Sequence, residues 1–388
     1  MRWRILISLL LPLKLLFAQD EEVPKKVSFK GYLKEMPSLY NYGDSLLSQN
    51  LIHNRLNFAW YANKEITVVA EFRTRLYTGD FVKKVPGYAS SIDANNDYFR
   101  LSANLISNEN VILNTMADRL YVQWTKNNWE IKAGRQRINW GKNLVWNPND
   151  WFNAYSFFDF DYEERPGSDA LRVSYYTGAL SSMEVAAKLA KDIDHFAGAG
   201  MWKINKWNYD FQFLAGIAQG DLALGSGWAG NIHSASFKGE LTYFNKVAET
   251  QFNNAYQNMF LGAISIDYSF AKIFYVNGSV MYNSQGSYHP DLGFTIIGLR
   301  PMTVRNLSPY VWSSFIQVTG QISPLLNSGL SVIAYPGSSS FFINPSLTIS
   351  AMQNFDIDLI GQFFYGNNQN GDFGSLIKAG YVRLKWSF

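Results

Sequence analysis

The sequence has no cysteine and only four histidines among its 388 residues. Without cysteine, no disulfide can stabilise the fold, and no thiolate is available for catalysis or metal binding. The histidines lie far apart in the sequence, and no nucleophile motif with a recognisable base accompanies them. No phosphate-binding loop or nucleic-acid-binding module is found either. These absences argue against an enzyme, and they predict no cofactor and no nucleic-acid partner.

Long apolar runs and charged residues are also scarce. After the first 18 residues no stretch approaches the 18 apolar residues that a transmembrane helix needs, and charged residues make up only 17% of the chain. Residues 1–18 combine two arginines with an apolar run from Ile5 to Leu13, and Ala18 is a plausible cleavage site, so they are predicted to be a secretory signal peptide. Because its removal takes away two arginines and one lysine, the formal net charge falls from +3 to 0.

Aromatic residues, in contrast, are abundant at 16%, with 12 Trp and 23 Tyr. Many of them lie in segments that alternate between apolar and polar residues, which is the period of a β-strand. The C-terminal stretch GYVRLKWSF shows the pattern, with Val382, Leu384, Trp386 and Phe388 on one face. Aromatic side chains that recur at strand ends are typical of the girdles of a membrane-spanning barrel.

Tight turns flanked by aromatics alternate with longer, polar connections. The tight turns are predicted at Asn63–Lys64, at Asn127–Asn128, near Lys206 and near Ala271. Long loops are predicted at about 37–50, 79–117, 140–168, 245–257, 283–309 and 366–373. The predicted strands are 27–36, 51–62, 65–78, 118–126, 129–138, 169–178, 182–190, 195–204, 208–218, 222–231, 236–244, 258–268, 272–282, 310–322, 328–335, 341–350, 355–365 and 375–388. Short turns at one end and long loops at the other are typical of outer-membrane barrels.

The pattern therefore predicts an all-β fold, in which residues 19–388 form a transmembrane antiparallel β-barrel of about 18 strands with long extracellular loops. If one glycine-rich hairpin is not part of the barrel, the number is 16. Antiparallel strands in lipid must satisfy every backbone hydrogen bond, so the sheet must close. An even number of strands places both termini at the periplasmic end of a barrel in the outer-membrane lipid.

Arginines are concentrated on the face of the strands that is predicted to line the pore. Because the strands that carry them are neighbours, we expect these arginines to form one basic wall near the long-loop end. The predicted pore-lining residues are Arg55, Glu71, Arg73, Arg75, Arg119, Arg135, Arg137 and Arg172.

The loop at 140–168 is acidic and rich in Trp and Phe, and we expect it to fold into the barrel and narrow it. Its predicted constriction residues are Asp150, Asp159, Asp161, Glu163 and Glu164. Two alternatives remain open. The DFDYEE segment could bind calcium, or its carboxylates could be structural partners of the arginines at positions 135, 137 and 172 in a wide channel.

Residues 133–176 carry the most distinctive motif, in which Gly134-Arg135-Gln136 is followed by Trp140-Gly141 and a return strand. This segment resembles a Gram-negative outer-membrane porin family related to the alginate-export barrels and other specific porins. The FKGYLKEMPSLY start and the aromatic composition are similar to barrels from Bacteroidota. The resemblance implies an 18-stranded passive channel that often favours anions. The terminal Trp386 and Phe388 resemble the signal that the barrel assembly machinery recognises.

Together, these features predict an outer-membrane porin for passive diffusion of small hydrophilic, anionic solutes. The alternative is a structural or assembly barrel whose lumen is plugged by its own loops and which serves a surface or secretion complex. Nothing in the sequence indicates an oligomeric state.

Overall fold

The computed structural model describes residues 26–42, 45–94, 97–161, 163–250, 253, 257–271, 273–290, 302–367 and 371–388. The predicted signal peptide at residues 1–18 lies outside the described residues. Neither of the short α-helices found in the described part of the chain has the length and apolar character needed to cross a bilayer.

Most of the described residues are in β-strands. The strands are β1 Val27–Tyr42, β2 Ser45–Tyr61, β3 Ile66–Gly79, β4 Ser102–Ser107, β5 Val111–Lys126, β6 Trp129–Gln136, β7 Ser168–Gly178, β8 Ser181–Lys188, β9 Ala197–Lys206, β10 Tyr209–Ala218, β11 Asp221–Ile232, β12 Ala235–Lys246, β13 Asn258–Phe270, β14 Phe274–Asn283, β15 Trp312–Ser323, β16 Leu326–Ala334, β17 Phe341–Met352, β18 Phe355–Asn367 and β19 Phe373–Ser387. The helices are α1 Asp80–Lys84, α2 Tyr88–Ile92 and a 3-10 turn, Val304–Asn306.

Eighteen of these strands form a closed antiparallel barrel, in which each pairs with its neighbours and β1 pairs with β19. The remaining strand, β4, belongs to the connection between β3 and β5. It pairs with residues 112–116 of β5, whereas β6 pairs with residues 120–126 on the same edge. Closure leaves no edge strand exposed to lipid. The predicted fold class is confirmed, and the number of barrel strands is 18 rather than 16.

The two faces of each strand differ as the alternating pattern predicts. On β13 and β15, Ile264 and Ile316 are 46% and 51% exposed, while their neighbours Ala263 and Phe315 are 1% and 3% exposed. On β19, Val382 is 40% exposed on the outer surface. An outward apolar band of this kind is stable only when lipid covers it.

The short turns lie where the sequence predicts them. The strands on either side of Asn127 and Asn354 end and restart within two residues, and these two residues have φ angles of 52° and 64°. This left-handed conformation is tolerated by asparagine, which explains its use in tight hairpins.

Two predicted loops were wrong. The loop predicted at 37–50 is instead the continuation of β1 to Tyr42 and the start of β2 at Ser45. Polar residues such as Asn50 are typical of loops, but here they alternate with buried inward residues such as Gln49. The predicted loop at 79–117 also contains β4 and the first seven residues of β5.

Candidate constriction in the barrel interior

The connection between β6 and β7 folds into the barrel over its described residues, 137–161 and 163–167, and we call these residues the inner loop. Its aromatic residues Trp140, Trp146 and Trp151 are 3–4% exposed. They belong to one apolar cluster with inward-facing side chains of the strands, such as Phe244 on β12 and Phe315 on β15. The loop therefore packs against the wall as a core element does, which explains why it is rich in aromatics.

Glu240, on β12, anchors the middle of the inner loop. Its side chain is fully buried. One carboxylate oxygen accepts the backbone N–H groups of Lys142 and Asn143 at 2.5 and 2.8 Å, and the other accepts that of Asn149 at 2.9 Å. Hydrogen bonds to a carboxylate are stronger than those between neutral groups.

Neighbouring polar side chains add to this anchor. Gln212 donates to the carbonyl oxygen of Trp140 at 2.7 Å, and the Thr242 hydroxyl donates to that of Pro148 at 2.9 Å. The sequence analysis did not select Glu240. Glu240 could have been selected by the same criterion as Glu71, because both are carboxylates on the polar face of an alternating strand.

The acidic end of the inner loop binds the opposite side of the wall. Asp161, Glu163 and Glu164 contact basic residues of β1, β2 and β19, and we call these ion pairs the latch. The contacts are Asp161–Lys34 at 2.7 Å, Glu163–Lys385 at 2.9 Å, Glu164–Arg55 at 3.4 Å, and Arg383 with Asp161 and Glu163 at 3.6 and 3.7 Å.

Both latch carboxylates that face β19 favour the ionised form. Burial alone would raise the pKa of Asp161, but its contacts with His53 and Lys34 lower the pKa below its ordinary value. The pKa of Glu163 is likewise lowered, because Lys385 outweighs the effect of burial. These two carboxylates therefore favour the charged form, in which they attract the basic side chains of β1 and β19.

Most of the predicted arginines contact carboxylates or backbone carbonyl groups in the barrel interior. Arg55 and Arg73 surround the buried carboxylate of Asp118, with Arg73 at 3.2 Å, and Arg55 also contacts Glu71. Arg119 donates to the backbone carbonyls of residues 164 and 165 at 2.7 and 2.9 Å, so it holds the inner loop directly.

Two further arginines form separate pairs. Arg135 contacts Asp169 at 2.8 Å and is 3% exposed on its side chain. Arg172 contacts Glu130, and its Nε lies 3.7 Å from Glu184. In each case a carboxylate neutralises the guanidinium. The latch carboxylates pair with Lys34, Arg55, Arg383 and Lys385, rather than with the arginines at 135, 137 and 172.

Arg75 and Arg137 take no part in these ion pairs. Among the described residues neither has a carboxylate oxygen within 4.0 Å, and the same holds for Arg165 in the inner loop. Arg75 donates to the amide oxygen of Asn114 at 3.1 Å. The guanidinium of Arg165 lies 3.4 Å from the ring centre of Tyr155. These cations keep their charge without a neutralising partner.

Asp150 lies beside two of these cations but forms no ion pair with them. It is 1% exposed, and neither of its carboxylate oxygens has a hydrogen-bond partner within the described residues. Burial raises its pKa well above the ordinary value, and the positive charge of Arg137 opposes this only in part. The side chain therefore favours the neutral acid.

The calcium alternative has no matching geometry in the described part of the chain. No group of three or more carboxylate or histidine side chains there is arranged to hold a metal ion. Of the residues considered for calcium, Asp161 and Glu163 face ammonium and guanidinium groups, and Asp159 also has interaction partners.

The C-terminal aromatics lie at the seam where the barrel closes. The backbone N–H of Phe388 donates to the carbonyl oxygen of Gly31 at 2.9 Å, and the reverse bond has the same length. Phe388 and Trp386 are 42% and 50% exposed on the outer surface, with ring centres 5.2 Å apart.

No protein-family model matches the chain, and no curated protein sequence matches it. Similar folds occur among solved structures. OccK11 (OpdR) from Pseudomonas aeruginosa has a TM-score of 0.57 and 9% identity, over 93% of this chain and 96% of that chain. OccAB4 from Acinetobacter baumannii has a TM-score of 0.58 and 9% identity, over 94% and 98%. OccAB3 from the same organism has a TM-score of 0.58 and 9% identity, over 93% and 99%. At these identities the likeness shows the fold alone, and together with the outward apolar band it indicates a membrane-spanning β-barrel.

Proposed function

We propose that the protein is a passive channel for small hydrophilic solutes and that it favours anions. The shared fold supports a channel role, because the similar Occ barrels are outer-membrane porins. The resemblance of residues 133–176 to porins related to the alginate-export barrels, with a Bacteroidota origin, is part of the same proposal.

The proposed preference for anions rests on one observation. Around the inner loop, the latch carboxylates form ion pairs, whereas three arginines have no carboxylate partner among the described residues. The carboxylates of the latch contact cations, and Asp150 favours its neutral form. Arg75, Arg137 and Arg165 have no carboxylate within 4.0 Å in the described residues. Unpaired cations in a lumen with low-dielectric walls raise the local concentration of anions.

The experiment is to insert the purified protein into planar bilayers and record single-channel currents under a salt gradient. The proposal predicts steady open-channel current with a reversal potential on the anion-selective side. A cation-selective reversal potential would contradict the anion preference but leave the channel role standing.

A second candidate is a scaffold barrel with a plugged lumen, and the packing of the inner loop favours it. The apolar cluster joins loop residues to inward side chains on strands from β7 to β19, so the interior is filled on that side. Bilayer recordings separate the two candidates, because a channel gives a steady current and a scaffold gives none. Resistance to protease verifies that a silent barrel has inserted into the bilayer.

We also propose that residues 1–18 direct export and that Trp386 and Phe388 form the signal for the barrel assembly machinery. Their exposure at the closing seam supports this role, since the rings stay accessible. Deleting Phe388 should lower the amount of inserted barrel without changing the conductance of the channels that do insert.

A further inference from the structure

The inner loop contacts the barrel wall all around the lumen. Its first half is held by Glu240 on β12. Its second half packs against β17 and β18, where the ring centre of Phe158 lies 4.9 Å from that of Phe342 and its carbonyl oxygen accepts from Gln362 at 2.9 Å. The latch holds the end of the loop at β1, β2 and β19, and Arg119 holds it at β5. A contact between parts of the loop that lie at opposite strands therefore crosses the lumen.

Tyr155 and Arg165 make such a contact, and we call this pair the bar. The guanidinium of Arg165 stacks on Tyr155, 3.4 Å from the ring centre. At the other end of the ring, the Tyr155 hydroxyl donates to the carbonyl oxygen of Leu144 at 2.8 Å and accepts from the side-chain amide of Asn147 at 3.1 Å. Tyr155 therefore links the segment 144–147 to Arg165.

The two ends of the bar are held at nearly opposite strands. At one end, Arg119 on β5 donates to the backbone carbonyl of Arg165 at 2.9 Å. At the other end, Trp146 in the segment 144–147 packs against Phe315 of β15, with ring centres 6.4 Å apart. Around the closed barrel, β15 is eight strands from β5 in one direction and ten in the other. The bar therefore spans the lumen close to its widest point.

The backbone of Arg165 supports a special role for this residue. Its φ angle is 62°, in the left-handed region that few residues other than glycine adopt. Residues strained in this way persist only where their surroundings hold them, and they concentrate at functional sites. The backbone is held by the hydrogen bond from Arg119, whereas the guanidinium stacks on an uncharged ring. An anion that approaches Arg165 therefore competes with an aromatic ring and not with a carboxylate.

We propose that the bar controls passage through the lumen, because it limits the size of neutral solutes and moves aside for anions. The inference rests on the proposed channel function and assigns its selectivity to these two side chains. Each solute has to pass beside the stacked pair or separate it. An anionic group separates it, because a carboxylate or phosphate accepts charge-assisted hydrogen bonds from the guanidinium, which the ring of Tyr155 does not offer. A neutral solute of the same size provides no such partner.

The first test compares single-channel conductance in planar bilayers. Tyr155→Ala and Arg165→Ala should each increase the conductance, and the double variant should add little, because either change removes the bar. The control is Trp207→Ala, since Lys206 lies 4.5 Å from the Trp207 ring centre, but this ring is 76% exposed at the turn between β9 and β10. The conductance of the control should equal that of the natural chain. Heat-dependent gel mobility verifies that each variant is folded.

The second test measures solute entry by liposome swelling. Through the natural chain, gluconate should enter faster than glucose, which is a neutral solute of similar size. Tyr155→Ala keeps the positive charge of Arg165 but should admit glucose faster, so the ratio of the two rates should fall. An unchanged ratio in Tyr155→Ala would show that charge alone sets the preference, and it would overturn the role of the bar.

The absence of cysteine allows the effect of the bar to be separated from a general loosening of the loop. Tyr155→Cys should increase the conductance, and coupling an aromatic maleimide to this cysteine should reduce it again. Mass spectrometry verifies that coupling is complete. A conductance that stays high after complete coupling would show that position 155 has left the passage, which contradicts the proposal.

The recordings also distinguish the bar from the channel function. If the natural chain and the variants conduct equally, the bar is overturned and the channel function stands. If all of them are silent after verified insertion, both fail. If only the variants conduct, the bar is supported as a complete closure, and the natural chain is not an open passive channel.

Discussion

The ammonium group of Lys34, on the first barrel strand, lies 2.7 Å from the carboxylate of Asp161 in the inner loop. The two side chains are 1% and 14% exposed. The contact joins the loop to β1, which pairs with β19 at the closing seam. The position of the inner loop therefore depends on ion pairs formed by the strands that close the barrel.

The first prediction concerns this pair. Lys34→Met should destabilise the packed loop by about 3 kcal/mol, because removing one partner leaves a buried charge uncompensated. The matched control is Lys84→Met, since Lys84 also lies 3.0 Å from a carboxylate, that of Asp80, but is 59% exposed. Such surface pairs contribute about 0–1 kcal/mol. Urea unfolding and protease cleavage of the inner loop measure both variants, and equal effects would refute a special role for the buried pair.

The second prediction concerns Glu240. Glu240→Gln should loosen the inner loop, because an NH₂ group replaces one of the two acceptor oxygens. This NH₂ group cannot accept a hydrogen bond from the backbone N–H groups that now donate to the carboxylate. Each hydrogen bond to a charged group is worth about 1.5–3 kcal/mol. We expect more frequent current fluctuations in bilayers and faster hydrogen exchange in residues 142–149. Unchanged exchange there would show that the apolar packing alone holds the loop.

The third prediction is a pH dependence that arises from Asp150. In the unfolded chain its pKa is about 3.9, and burial raises the pKa in the folded barrel. As the pH rises above the unfolded value, the unfolded chain loses its proton first, so the free energy of unfolding decreases. The charges of Arg137, Arg165 and Glu240 act on the same carboxyl.

The test compares Asp150→Asn with the natural chain between about pH 4 and about pH 8. The variant cannot ionise at this position, so its stability relative to the natural chain should increase with pH. Urea unfolding in detergent measures the difference. A difference that stays constant over this range would mean that Asp150 ionises normally in the folded barrel.

The fourth prediction tests the faces of a strand with neighbouring residues. Val318 is 39% exposed on the outer surface of β15, while Gln317 donates to Ser331 inside the barrel. Val318→Arg should cost about 2–4 kcal/mol if it lies near the bilayer midplane. Gln317→Arg should cost much less, because its side chain enters the polar lumen. Equal losses of folded barrel in membranes would contradict the assignment of faces.

The sequence predicts the barrel well, because lipid and lumen impose opposite demands on alternate residues. The strand positions from β6 to β19 follow from this alternation and from turn residues such as Asn127 and Asn354. The first hairpin is the exception. Its outward Pro37 and Asn50 are not lipid-like, and residues 37–50 were predicted as a loop.

The interior is harder to predict, because the sequence does not show which distant charges meet. An alternating strand indicates that Lys34 points inward, but not that the inner loop reaches it. The acidic loop and the basic strands were expected to face each other across a passage, whereas Asp161 and Glu163 contact lysines at 2.7 and 2.9 Å. Glu240 looked like any other lumen residue until its backbone partners were known.

The reversal potential under a salt gradient tests the central claim most directly. The variant Arg75→Gln with Arg137→Gln and Arg165→Gln removes three cations that have no carboxylate within 4.0 Å among the described residues, and it leaves the ion-paired arginines in place. The control is Arg100→Gln, at a side chain that is 68% exposed and pairs with Asp93.

We predict that the triple variant inserts normally and that its reversal potential moves towards cation preference, whereas the control stays unchanged. The shift should be larger at about 0.01 M salt, where the screening length is about 30 Å, than at about 0.1 M, where it is about 10 Å. A triple variant that conducts with the reversal potential of the natural chain would contradict the claim that these arginines set the selectivity.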